Sequence, residues 1–250
     1  MFLFKKKKLV VHCFTDRQQA ATYAPIKLAH AFYPDWWKRL SKTFPINRGT
    51  IQGPTMKTCA GLRDLFQKGM ILPMWCDLNI DVGGVGDTSF QYQFADNLST
   101  ITPHPAGQRG EFAPEGMYQH LKLISPWRFQ CDEAVDFLWF EPVWNMQDLM
   151  QYRVLSGVLE FKYQHTTHIN MLVPRKTGGV STVLIPFNQP LVHIVPLTER
   201  DLEIRVVEDA QKFKRLDGAQ TAFINSYKLA KEIKKTQCPL GFGNNQTRIK

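Results

Sequence analysis

Two histidines three residues apart, His165 and His168, offer imidazole nitrogens to a transition metal. One ion needs both rings to converge on it. On a strand, positions three apart face opposite sides, so the pair cannot share an ion unless the chain turns there, and no metal is expected. Paired carboxylates, the material of general acid–base chemistry, stand at Asp132/Glu133 and Glu208/Asp209. Sequence neighbours on a loop are solvated as a rule, and nothing nearby would raise the pKa of one of them. Gly83 to Asp87 (GGVGD) has the glycines of a phosphate cradle but no lysine, and no helical pattern follows it. A hairpin turn fits it better. No G-x-S-x-G and no credible Ser/His/Asp set occur. The cysteines, Cys13, Cys59, Cys76, Cys131 and Cys238, are widely spaced and include no CxxC pair. They indicate reduced, mostly buried thiols rather than a disulfide framework or a zinc finger.

The elements that must position these residues are mostly strands. Residues 9–14 (LVVHCF) are short and rich in β-formers. Residues 23–48 are punctuated by Pro25, Pro34 and Pro45, and Asp35 is placed to cap a short helix through Trp36, Trp37 and Leu40. Adjacent tryptophans such as Trp36 and Trp37 serve as anchors in a core or an interface. Residues 58–69 read as a helix with Thr58 as its cap, Leu62, Leu65 and Phe66 on one face, and Gly69 at the left-handed C-terminal position. Met70 to Val82 is extended and apolar, and Phe90, Tyr92 and Phe94 alternate with glutamines as on a half-buried strand. The Pro/Gly-rich loop over 96–119 is long for a compact domain, which marks it as functional or interfacial. Strand-like segments follow at 120–130, 134–144, 152–163, 167–173, 180–186 and 190–197, the spacing of a sandwich or barrel. Asp217 to Gln220 has capping-box spacing, and Phe223, Tyr227, Ala230 and Ile233 recur at helical period. An amphipathic helix is expected over about 218–235.

The chain has 250 residues, enough for one large core or two small ones, and 44 % of them are apolar, which excludes wholesale disorder. No apolar run approaches the roughly 18–20 residues a membrane helix needs. The stretch after the lysine run is too short for a signal peptide. A cytoplasmic product with no membrane partner is expected. The formal charge of +9 gathers at Lys5, Lys6, Lys7 and Lys8, at Lys212/Lys214/Arg215, and in a C-terminal stretch from Lys228 to Lys250. Such clusters attract acidic surfaces or nucleic acid. No stacking-aromatic pattern accompanies them, so any contact with DNA is expected to be non-specific.

One stretch, Ser156 to His165 (SGVLEFKYQH) followed by Ile185 to Val195 (IPFNQPLVHIV), resembles the dUTPase and dCTP deaminase superfamily. Gly157, Leu159, Glu160 and Tyr163 are in register with the family's G-x-I-D-x-x-Y-x-G segment. Leu191, Val192, His193 and Ile194 match its later strand. Cys76-Asp77-Leu78 looks like its first strand, and Gly241 to Asn244 resembles the C-terminal segment that closes over the base. The resemblance covers about half the chain and implies a β-barrel. If the chemistry came with it, Glu160 and Asp77 would be catalytic, Gly157, Tyr163, His193 and Phe242 would hold the nucleotide, and Mg2+ would lie between phosphates and carboxylates. The departures fall on the chemistry. Glu160 is one methylene longer than the family's aspartate, the phosphate-gripping Arg-Ser pair is replaced by Glu141-Pro-Val-Trp144, and His165 stands where a glycine is needed.

A second resemblance runs nearly the full length. Pro34 to Lys38 (PDWWK), Met56 to Asp64 (MKTCAGLRD), Gly69 to Trp75 (GMILPMW), Ser125 to Trp127 (SPW) and Pro190 to Pro196 (PLVHIVP) look like a family of tailed-bacteriophage proteins with no assigned chemistry. Together the two imply a mainly β fold, a dUTPase-like barrel or jelly-roll-like sandwich with a short N-terminal helical extension and a C-terminal amphipathic helix. The expected units are a Trp/Pro-rich extension (1–69), a β core (70–205) and a C-terminal helix with a basic tail (206–250). The leading expectation is a non-enzymatic virion protein, made in the host cytoplasm, such as a capsid decoration, neck or tail component. It would self-associate, most simply as a trimer, and dock on other virion proteins through Trp36, Trp37 and the lysine run, with no cofactor. The alternatives are a dUTPase-type nucleotide pyrophosphatase and a host-directed binding protein.

Overall fold

A computed structural model describes residues 7–46, 49, 51–105, 108, 110–112, 116–145, 151–217 and 232. The chain opens on β1 (Leu9–Thr15), α1 (Gln18–Tyr23), β2 (Lys27–Leu28) and α2 (Asp35–Arg39). A ribbon, β3 (Thr43–Ile46) and β4 (Ile51–Pro54), precedes α3 (Ala60–Gln67). Next come β5 (Met70–Pro73), β6 (Leu78–Val82), β7 (Phe90–Phe94), β8 (Ile101–Pro103) and β9 (Tyr118–Gln130). The second half holds β10 (Asp136–Phe140), β11 (Arg153–Val154), β12 (Gly157–Glu160), β13 (Thr166–Pro174), β14 (Ser181–Ile185), β15 (Pro190–Pro196), β16 (Leu202–Glu208) and α4 (Ala210–Asp217).

The fold is mainly β. A six-stranded sheet runs β11-β13-β9-β1-β16 with β8 also paired to β9, and a five-stranded sheet runs β12-β10-β15-β5-β2. A three-stranded sheet, β14-β6-β7, and the β3–β4 ribbon complete the set. Among the described residues no sheet closes on itself, so the closed barrel expected from the resemblance is not formed.

The expected division at residue 69 does not follow the packing. β1 lies inside the six-stranded sheet, antiparallel to β9 and parallel to β16 from Leu9↔Leu202 to Thr15↔Glu208. Leu9, Val11 and Cys13 point into the core and are fully buried, as alternation on a strand with one covered face requires. The N-terminal segment therefore contributes core. The boundary at 205 likewise cuts β16, whose Leu202, Ile204 and Val206 pack on that core. In the interior Phe161 stacks between Phe129 and Phe137, with ring centroids 4.8 and 4.5 Å away.

The helices differ from expectation in their caps. Asp35 is the first residue of α2 and pairs with Lys38 at 3.0 Å. Cys59, not Thr58, occupies the N-cap of α3, because the Thr58 hydroxyl donates back to the Thr55 carbonyl at 2.8 Å. Gly69 has φ +79°, and a Cβ there would stand 2.2 Å from the Ile194 carbonyl oxygen, so only glycine fits. The glycine turn does join a hairpin, β6 to β7.

Candidate functional site

The least supported part of the fold is the β3–β4 ribbon. Its register pairs Phe44 with Gly53 and Ile46 with Ile51. Residues two apart on a strand share a face, and directly opposed residues share it too. Phe44, Ile46, Ile51 and Gly53 therefore form one apolar face, and Thr43, Pro45, Gln52 and Pro54 the other. Phe44 and Ile46 fold over the glycine, where a Cβ would meet their side-chain atoms at 3.0–3.1 Å. The apolar face is nevertheless open: Phe44 is 47 %, Ile46 39 % and Ile51 50 % exposed. Among the described residues neither strand makes a substantial contact with another element. A two-stranded ribbon alone is marginal in water and gains stability by covering its apolar face.

The base of the ribbon is firm. Thr55 N donates to the Lys42 carbonyl at 2.9 Å, which closes the ribbon at its root. Behind it sits an aromatic cluster around Phe66 of α3, with Trp37 at 4.5 Å, Trp144 at 4.7 Å and Tyr33 at 5.8 Å between ring centroids. Trp37 is only 6 % exposed. It is a core anchor, which corrects its expected place in an interface. Trp36 is 39 % exposed, and its Nε1 donates to the Trp144 carbonyl at 2.9 Å.

The residues singled out by the dUTPase resemblance are not brought together as a site. Glu160 ends β12, opposite Asp136, and its side chain is buried. Asp77 stands exposed just before β6, on a different sheet, where its Oδ1 accepts from Phe187 N at 2.7 Å. A magnesium ion bridging the two carboxylates does not fit this arrangement. Gly157 is exposed at the start of β12, and Tyr163 lies in the turn after it, its N–H donating to the Glu160 carbonyl at 3.1 Å. His193 lies two strands away on β15 and is fully buried. Its Nε2 donates to the Lys68 carbonyl at 2.7 Å, and its ring packs 4.8 Å from Phe140. A histidine so enclosed has no access to a nucleotide. Phe242, Lys5 and Lys6 lie outside the described residues.

Other candidates have structural roles. Lys7 and Lys8 are exposed, but their carbonyls accept from Arg200 at 2.7 and 2.8 Å while the same guanidinium grips Glu133. His165 is buried with Nδ1 2.9 Å from the Phe129 carbonyl, whereas His168 is exposed. Asp209 caps α4 by accepting from Lys212 N at 2.8 Å. Cys59 is exposed, unlike the buried Cys13 and Cys131. The loop expected to be functional contributes β8 and then lines a cavity of about 520 Å³ with the glycine turn. There His104 stacks on His120 at 4.4 Å, and Arg175 donates to the Gly83 carbonyl at 2.7 Å.

The ribbon residues Phe44, Ile46 and Ile51 were not among the sequence candidates. Their signal was present: apolar residues alternate on both sides of a short connection that contains Gly49. Compared with family models, with curated proteins and with solved structures, the chain matches none.

Proposed function

We propose that the chain is a structural protein of a tailed-bacteriophage particle that works by self-association, most simply as a trimer, and by docking rather than by catalysis. The observation that carries the docking half is the ribbon: an apolar β face held out from a firm base and left open to solvent. Exposed apolar surface of this kind marks an interaction site. The phage origin rests on the sequence resemblance. The separation of Glu160 from Asp77 supports a non-catalytic reading. Mass spectrometry of purified particles is the test: the chain is expected among the particle proteins at a fixed ratio, and its absence sinks the reading. Release of pyrophosphate from dUTP that disappears in Glu160→Gln would establish the nucleotide pyrophosphatase instead.

A further inference from the structure

The surroundings of the ribbon narrow what it docks on. From Trp36 to Arg63 the chain carries six lysines and arginines and not one aspartate or glutamate. At the ribbon's base Arg39 and Lys42 are exposed, while the Lys38 ammonium is paired with Asp35. Lys57 Nζ donates to the Lys38 carbonyl at 3.1 Å, and the Lys42 carbonyl closes the root of the ribbon. Exposed Met56 and Trp36 flank the apolar face along the chain.

Each class of partner must answer both features. A second copy would bring the same cations against these, and like charges oppose such a pairing. A DNA duplex would neutralise the cations but leave Phe44, Ile46 and Ile51 against a polar, hydrated backbone. An anionic bilayer answers both. Its headgroup phosphates attract the lysines, and the boundary between headgroups and acyl chains takes up aromatic and aliphatic side chains.

We propose that the β3–β4 ribbon is a peripheral membrane-docking arm. It lies on an anionic lipid surface with Phe44, Ile46 and Ile51 in the interface and Arg39, Lys42 and Lys57 over the headgroups. This rests on the reading of the ribbon as a docking surface. The sequence expectation of no membrane partner came from the lack of a spanning run, and an arm lying in the interface needs none.

The test is co-sedimentation of the full chain with vesicles of phosphatidylcholine, alone or mixed with phosphatidylglycerol. The chain is expected to bind the mixed vesicles, to ignore the neutral ones, and to bind less as salt rises. Phe44→Ser combined with Ile46→Ser should weaken binding at least about tenfold. Lys42→Glu should weaken it roughly fivefold or more. Both variants should keep the melting temperature of the parent, because the altered side chains are exposed. Failure to bind the mixed vesicles overturns the inference, as does unchanged binding by both variants. A ribbon-dependent dimer in light scattering without lipid, or ribbon-dependent binding to duplex DNA in place of vesicles, overturns it as well. Particle content is scored separately. A chain found in particles that ignores vesicles ends the lipid inference and leaves the structural reading. A chain that binds vesicles through its ribbon but is absent from particles supports the inference and ends that reading.

Discussion

Burial holds the imidazole of His193 neutral, its pKa pushed below the ordinary 6.5 despite the favourable Lys68 carbonyl. The native chain therefore refuses a proton that the unfolded chain accepts below about pH 6.5. The stability this group contributes is complete above that pH and is lost as the pH falls from there towards the native value. His193→Gln keeps a donor for Lys68 but cannot titrate. Urea midpoints measured near neutrality and in mild acid should fall further for the parent than for the variant, and equal falls would show that His193 does not titrate differently in the two states. Residue type alone did not reveal this histidine's role: matched to a family strand, it looked like a ligand contact. Nor could adjacency separate Trp36 from Trp37. On a helix of about 3.6 residues per turn, neighbours point in different directions, so Trp37 is buried in the aromatic cluster while Trp36 packs at its rim, 6.5 Å from the Phe66 centroid and partly open to solvent. Glu160 was legible as a strand residue, but its burial depends on what covers the edge of the five-stranded sheet, which spacing does not encode.

Among the elements, α4 is held by a mixed contact on β9. Arg128 is buried, donates to Asp217 Oδ1 at 3.0 and 2.6 Å, and packs 4.3 Å from the Phe213 ring centroid. Asp217 is the last described residue of α4. Of the capping box expected over Asp217 to Gln220 only Asp217 is described, within α4, and residues 218–231 and 233–235 of the expected helix lie outside the described residues. Asp217→Asn leaves the buried guanidinium with a neutral acceptor. It should cost roughly 1–3 kcal/mol in denaturant unfolding, and a change below the error of that measurement would show that the phenyl contact and the backbone carbonyls suffice. The strands were far more readable. Alternation gave β7, and β-forming runs between turn signals gave β9, β13 and β15 nearly to the residue. β16 was not read, although Leu202, Ile204 and Val206 alternate with Glu203 and Arg205 as on a half-buried strand. The ribbon escaped because its apolar face covers nothing within the chain.

For the whole molecule, the backbone at Lys7 and Lys8 belongs to the fold although both residues are charged and exposed. The side chains of Lys7 and Lys8 reach solvent, yet their backbone is tied to Arg200, and Leu9 N donates to the Asp201 carbonyl at 2.8 Å. Removal of residues 1–6 should leave the melting temperature unchanged. Removal of residues 1–8 should lower it slightly, because Arg200 loses two carbonyl acceptors. Equal behaviour of the two truncations would show that these bonds add nothing. Most strands from β5 to β15 were legible, but the way β1 and β16 meet was not: parallel pairing of distant strands leaves no local mark in a sequence.

That pairing bears on how the chain reaches its native state. β1 and β16 are separated by about 190 residues, so their contact closes a very long loop. Pairings of such long sequence separation slow folding. During synthesis β1 emerges about 190 residues before β16. Until then the β1 edge that β16 will occupy stays open as a template for other strands. A nascent chain of this protein is therefore most prone to mispairing between the appearance of β9, which takes the other edge of β1, and the arrival of β16.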